Sequence, residues 1–487
     1  MKTRTLQGSL LMVALAACSS TQNNRGTTPA TNANGNTVVT AGNTAVNETA
    51  NSRFNAAAQA MRTHDAANDG RGDWNPDACN QVAGMFEQAA QANNNGQFPD
   101  AWFNRALVFD RCGMTDPETQ ALNRALQAAN NNYCRARVQL GVLAYRRNDV
   151  AAAQQAYEEA IRQDQTHCVE GYTNLAHLLR ERNPSSATDW QPVIRNIRSA
   201  LALDDRYLPA RNELALAYLQ QAGDDPNSRL IFLAGLVAAQ AIQVGSAQQA
   251  ELTPNVRSFM ADLYNTWGLI DIRRNEIIKA LEHFRRAYTL NPSMYEAWVN
   301  YGTINLSFRG YQDARDAFEH ALQLRDNSYD AHIGLGVALR GLAAQSQQES
   351  ERPALLQRAQ AEYERARTID AARADAYYNL GVLHMNYMSG ISPDMQNLDN
   401  AERYLNEFMQ HAQGRAQHAD AVTRATRYIR NIRETRTALQ AVGGGTTTTP
   451  TPAPATPPAA TPPAASPTTN PAPGPATMPP AAPAAGG

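Results

Sequence analysis

A chain of 487 residues is too long for one ordinary hydrophobic core, which leaves several domains or one elongated repeat array. Its 43 basic and 45 acidic residues nearly cancel. That balance excludes an electrostatic grip on nucleic acid.

In chain order, the first 17 residues carry the three parts of an export signal: basic Lys2 and Arg4, an apolar run from Leu10 to Ala16, and a small-residue cleavage region. The apolar run is too short to cross a bilayer. Leu15-Ala16-Ala17-Cys18 resembles the lipobox of bacterial lipoproteins. The resemblance implies a lipidated Cys18 as the mature N-terminus; the alternative is an ordinary cleaved signal beside a chance cysteine. Ser19 stands where lipoproteins kept on the inner membrane often carry aspartate, so the resemblance implies a lipid anchor in the outer membrane, facing the periplasm. Residues 18 to 52 are the lipidated cysteine and, from residue 19, a stretch rich in Asn, Thr, Ser, Ala and Gly that reads as a flexible tether. Such a coil has an r.m.s. reach of roughly 30 to 35 Å.

Residues 53 to 416 are governed by internal repetition. Gly268, Gly302 and Gly336 recur every 34 residues, as do Ala280 with Ala314, Phe284 with Phe318, and Ala287 with Ala321. These residues, with Pro292 and with Ala297-Trp298 and Tyr301-Gly302, resemble the tetratricopeptide repeat, a pair of antiparallel helices closed by Ala-x₃-Phe-x₂-Ala. Asp326 replaces the proline expected at the end of the next copy. Weaker copies run in both directions: Ala101-Trp102 with Leu122 and Ala125, Leu140-Gly141 with Ala153, Tyr157 and Ala160, and Leu175-Ala176 with Ile197 and Ala200. Leu214-Ala215 with Ala238, and Leu380-Gly381 with Ala401 and Leu405, continue the series. A partial copy near residues 54 to 94 has Val82, Phe86 and Ala89 in its second helix. The fold expected is therefore all-α, a superhelical solenoid of about eight to nine helical hairpins in which each hairpin covers the apolar flank of the next. Residues 417 to 442 read as one amphipathic capping helix, with Val422, Ala425, Tyr428, Ile429, Ile432 and Leu439 on or near one face. Residues 443 to 487, uncharged and holding more than half of the chain's 26 prolines, read as a disordered tail of polyproline-II character.

Four cysteines remain after Cys18. On the repeat map Cys79 and Cys112 fall at one end of the helix stack, and Cys134 and Cys168 at the other. Crossed pairs would exceed the distance a disulfide spans, so the expected bridges are Cys79–Cys112 and Cys134–Cys168. The alternative is four reduced, buried thiols. No His-Glu-x-x-His, phosphate loop or Gly-x-Ser-x-Gly elbow occurs, and no short Cys/His pairing suits zinc. No enzyme, cofactor, metal or small-molecule substrate is expected. The expected site is the inner groove lined by first helices: Phe103, Leu107, Val138, Val142, Tyr145, Leu216, Leu269, Val299, Ile333, Val337, Tyr378 and Val382, with the amides Asn104, Asn174, Asn300 and Asn379 beside them. Such a groove suits an amphipathic helix or an extended segment; alternatively, individual side chains pack on neighbouring helices. The basic side chains with which relatives grip a C-terminal carboxylate are mostly missing from these places.

These features read as a periplasmic scaffold that recruits other envelope proteins. Its plan resembles the lipoproteins of gliding-motility and pilus-assembly systems, with gliding motility preferred. The alternatives are a regulator of cell-wall synthesis enzymes or an outer-membrane or pilus assembly factor.

Overall fold

The structure is a computed structural model that describes residues 30–31, 37–41, 44–70, 72–223, 225, 227–247, 254–388 and 395–443. The signal segment, Cys18 and the proline-rich tail lie outside the described residues.

Among the described residues the chain forms nine helical hairpins. They pair α1 (Glu48–Gly70) with α2 (Pro76–Gln91), α3 (Pro99–Arg111) with α4 (Thr115–Ala128), α5 (Cys134–Arg146) with α6 (Val150–Gln163), and α7 (Val169–Glu181) with α8 (Ala187–Leu203). Next come α9 (Leu208–Gln221) with α10 (Arg229–Ala247), α11 (Pro254–Arg273) with α12 (Ile277–Leu290), and α13 (Tyr295–Ser307) with α14 (Tyr311–Leu324). The series ends with α15 (Tyr329–Gln345) against α16 (Arg352–Ile369), α17 (Ala374–Leu383) against α18 (Met395–Ala412), and a final helix α19 (Ala419–Gly443). This is the tetratricopeptide-repeat solenoid expected from the period.

Its cause is clearest in the central hairpins. In α12 the stripe Ala280, Phe284 and Ala287 is fully buried, and Ala314, Phe318 and Ala321 repeat it in α14. The two alanines let the helices approach, and the aromatic ring fills the space that a glycine of the first helix leaves open. A Cβ built on Gly268 would stand 2.5 Å from Phe284 Cε1, so no larger residue fits without displacing the ring. The turn from first to second helix repeats as well: Gly113, Asn148, Asn183, Gly223, Asn275 and Arg309 all have positive φ. Glycine and asparagine enter that region most readily, which explains five of the six; Arg309 is the exception.

Two ends differ from the sequence reading. The copy near residues 54 to 94 is a complete hairpin, with Phe54 of α1 against Phe86 of α2 at a centroid distance of 5.6 Å. Its register is obscured by the composition of α1, which is rich in Ala with polar residues between and has only Phe54 and Met61 as large apolar residues. The tether also gains order before residue 53. Three short antiparallel strands, Ala30–Thr31, Thr37–Ala41 and Thr44–Val46, use its β-branched residues, and α1 begins at Glu48. Asn47 pins this entry: its side-chain oxygen accepts from the Ala50 amide at 2.8 Å, and its own amide donates to Asn93 Oδ1 at 3.0 Å. At the far end, α19 buries Ala421, Ala425, Ile429 and Ile432 against the last hairpin, while Leu439 lies beyond the covered stretch and is 45% exposed.

Candidate protein-interaction surfaces

First helices of neighbouring hairpins touch directly from α5 through α11 and again from α13 through α17, which places them on the inside of the curve; α1 also comes against α11. This winding changes the expected groove. Phe103, Leu107, Val138, Val142, Leu216, Val299, Val337 and Val382 are buried, and Tyr145, Leu269, Ile333 and Tyr378 are half-buried. The buried eight do not line an open apolar trough; Val138, Val142, Leu216, Val299 and Val337 lie on first helices that pack directly against the next first helix. The amides are engaged too. Asn104, Asn174 and Asn379 each donate to the carbonyl four residues earlier in their own helix, at 2.8, 2.8 and 2.9 Å, and half-buried Asn300 donates to Asn265 Oδ1 at 2.9 Å.

Between α7 and α13 the inner layer is polar. Arg180 Nε donates to Glu213 Oε2 at 2.9 Å, and His177 Nδ1 lies 2.8 Å from Glu213 Oε1, all three buried. Burial by itself would raise the Glu213 carboxyl, but the charges of Arg180 and His177 and the bonds they donate bring it down to about 2. One step on, Thr266 Oγ1 donates to Asn212 Oδ1 at 2.7 Å. The sequence reading missed Arg180, Glu213 and Asp262. Only Glu213 carried a signal, since it stands where other copies have the amides Asn104, Gln139, Asn174, Asn300 and Asn379; Asp262 stands where several copies are charged, as at Glu296 and Asp330.

The apolar surface that is open lies on the outer layer. Helix α10 turns Ile231, Ala234, Ala238 and Ala241 inward and leaves Phe232 63% and Leu236 45% exposed. Ile278, at the start of the next outer helix α12, is 83% exposed. Arg274, in the turn between α11 and α12, reaches α10: its guanidinium packs on Gly235 and donates to the Ile231 carbonyl at 3.3 Å. Helix α10 is also long and apolar enough to cross a membrane by length and composition.

The structure joins Cys79 to Cys112, Cα atoms 6.6 Å apart, and Cys134 to Cys168, Cα atoms 5.5 Å apart. Cys79 lies in α2 and Cys112 caps the end of α3, whereas Cys134 opens α5 and Cys168 caps the start of α7. The second bridge closes a separation of 34 residues. Removing it by the paired change Cys134→Ser and Cys168→Ser is expected to lower stability by about 2 to 4 kcal/mol. Denaturant unfolding of the variant beside the oxidised and reduced parent chain checks this; equal midpoints would show that the thiols are not bridged. Among the described residues no group of three or more His, Cys, Asp or Glu is placed to hold a metal ion.

No family model matches the chain. A Drosophila melanogaster protein named as a BBSome complex member BBS4 homolog is 26% identical over 231 residues, 42% of this chain. The match spans 46% of that relative's length. Among solved structures, a thermophilic tetratricopeptide-repeat protein of Thermus thermophilus is 20% identical, covering 42% of this chain and 99% of its own, with a TM-score of 0.34. A tetratricopeptide-repeat protein of Parabacteroides merdae is 13% identical, covering 59% of this chain and 99% of its own, with a TM-score of 0.36.

Proposed function

We propose that this repeat solenoid is a non-catalytic scaffold that gathers partner proteins at the bacterial outer membrane, held there through a lipid on Cys18 and facing the periplasm. The observation that carries the binding role is the exposed pair Phe232 and Leu236, one turn apart on α10. A soluble repeat array has no packing use for large apolar side chains on its outer layer, and contiguous exposed apolar surface marks a contact site. The lipobox-like Leu15-Ala16-Ala17-Cys18 and the tether support the anchored location. The plan of anchor, tether, array and proline-rich tail supports an envelope machine, with gliding motility as the specific reading.

Phe232→Glu is expected to reduce capture of the bound partners at least tenfold while circular dichroism and the unfolding midpoint stay at parental values, because the side chain is exposed. Site-specific photocrosslinking from position 236 in intact cells, with and without the change, measures this. Motility proteins in the crosslinked set support the specific reading, and cell-wall synthases or barrel-assembly components replace it. Undiminished crosslinking in the variant removes the outer patch as the binding surface.

A further inference from the structure

Four acidic side chains among the described residues are buried, and three of them have partners. Glu118 accepts from Gln139 Nε2 at 2.8 Å, Glu213 takes Arg180 and His177, and Asp271 Oδ2 lies 2.8 Å from His283 Nδ1. The fourth, Asp262 on the inner helix α11, is 8% exposed and makes no hydrogen bond or ion pair with any described residue. The acids nearest it in charge are Glu213 of α9 and Glu296 of α13, one from each flanking first helix, and both already have cations: Glu213 holds Arg180 and His177, and Glu296 Oε1 accepts from Arg325 Nη2 at 3.4 Å. Asp262 and Glu296 are 34 residues apart, so they hold the same place in successive repeats. One turn further along α11, Asn265 and Thr266 lace that helix to α13 and α9 through Asn300 and Asn212. Burial first, and then the charges of Glu296 and Glu213, hold the Asp262 carboxyl well above the usual carboxylate range.

An unpartnered carboxyl inside a protein costs stability that an asparagine of the same shape would not. A buried carboxyl with no cation of its own, beside two acids that have theirs and on a face lined by amides, offers a place for one further positive charge. With no metal-holding group nearby among the described residues, a single side-chain cation matches the site better than a metal ion. We propose that Asp262, flanked by Glu296 and the Asn265–Asn300 amide pair, receives the arginine or lysine side chain of an extended partner segment entering the inner face between α9 and α13. This deepens the scaffold reading, resting on it only in taking the partner to be a protein, and it uses a different surface from the α10 patch.

The probes are fluorescein-labelled ten-residue peptides of Gly, Ser and Ala with a central Arg, Lys, Gln or Glu, titrated by fluorescence polarisation against the full mature chain at low salt. The expected result is at least tenfold tighter binding of the Arg or Lys peptide than of the Gln peptide, and no binding of the Glu peptide. The better of Arg and Lys identifies the cation. Asp262→Asn is expected to abolish the preference without lowering the unfolding midpoint, while Asp262→Glu and Phe232→Glu keep it. Absence of a cation preference in the parent chain overturns the proposal, as does a preference that survives Asp262→Asn. A midpoint several degrees lower in Asp262→Asn also overturns it, because the carboxyl would then have a structural partner. Loss of crosslinking in Phe232→Glu with the peptide preference intact separates the two surfaces.

Discussion

Replacing Glu213 by alanine is expected to destabilise the chain by up to about 3 to 5 kcal/mol, because it removes the carboxylate shared by buried Arg180 and His177 and leaves the fully buried Arg180 with Glu181 Oε1 as its remaining carboxylate partner, at 3.0 Å. The loss measures a buried charge left under-compensated and not the net worth of the pair. Changing the group together, as Glu213→Leu with Arg180→Met and His177→Leu, is therefore expected to recover most of the stability. The pH dependence has a definite sign. The Glu213 carboxyl sits near 2 against an ordinary 4.5, so the folded state prefers its ionised form. That contribution is complete above about 4.5 and is lost as pH falls toward 2. Denaturant unfolding from pH 7 to pH 3 should show a decline in the parent that is reduced in Glu213→Gln. Equal slopes in the two would mean that Arg180 and His177 do not hold the carboxylate.

Phe284→Ala is expected to cost about 3 to 5 kcal/mol, since the fully buried ring is the main filler between α11 and α12. Gly268→Ala destabilises from the other side, because the added methyl meets the ring edge 2.5 Å away. The two changes share one space, so in the double variant the second change costs less than it does alone. A double-mutant cycle by chemical denaturation reads this coupling. Additive effects would mean that glycine and ring do not meet. Because each hairpin rests mainly on its neighbours, amide exchange should rise first in α11 to α13 and spare the distant hairpins. A uniform rise along the array would contradict nearest-neighbour stacking.

The repeat architecture was legible in the sequence because its causes are local. Gly268, Ala280, Phe284 and Ala287 lie within twenty residues of one another, and their contact is fixed once two helices and a short turn exist. The same holds for the capping helix, whose apolar positions follow the helical period by themselves. The first hairpin was read only in part, since α1 joins its partner through a few residues, Ala50, Phe54, Ala57 and Met61, set in a polar background.

The winding between hairpins was not legible, and it decides the surfaces. Helical spacing places Val138, Leu216 and Val337 on the inner side, but it does not say that the next first helix comes close enough to cover them. The same packing shuts Arg180 in with Glu213, one hairpin and 33 residues away, and leaves Asp262 without a cation of its own. It also turns Phe232 and Leu236 of the apolar helix α10 outward. The sequence by itself determined the hairpins, their number within one and their cap, because those depend on contacts within one repeat period. Only the tertiary structure decided which side chains are covered, since coverage depends on the angle and distance at which one hairpin meets the next, and that is set jointly by side chains from several helices.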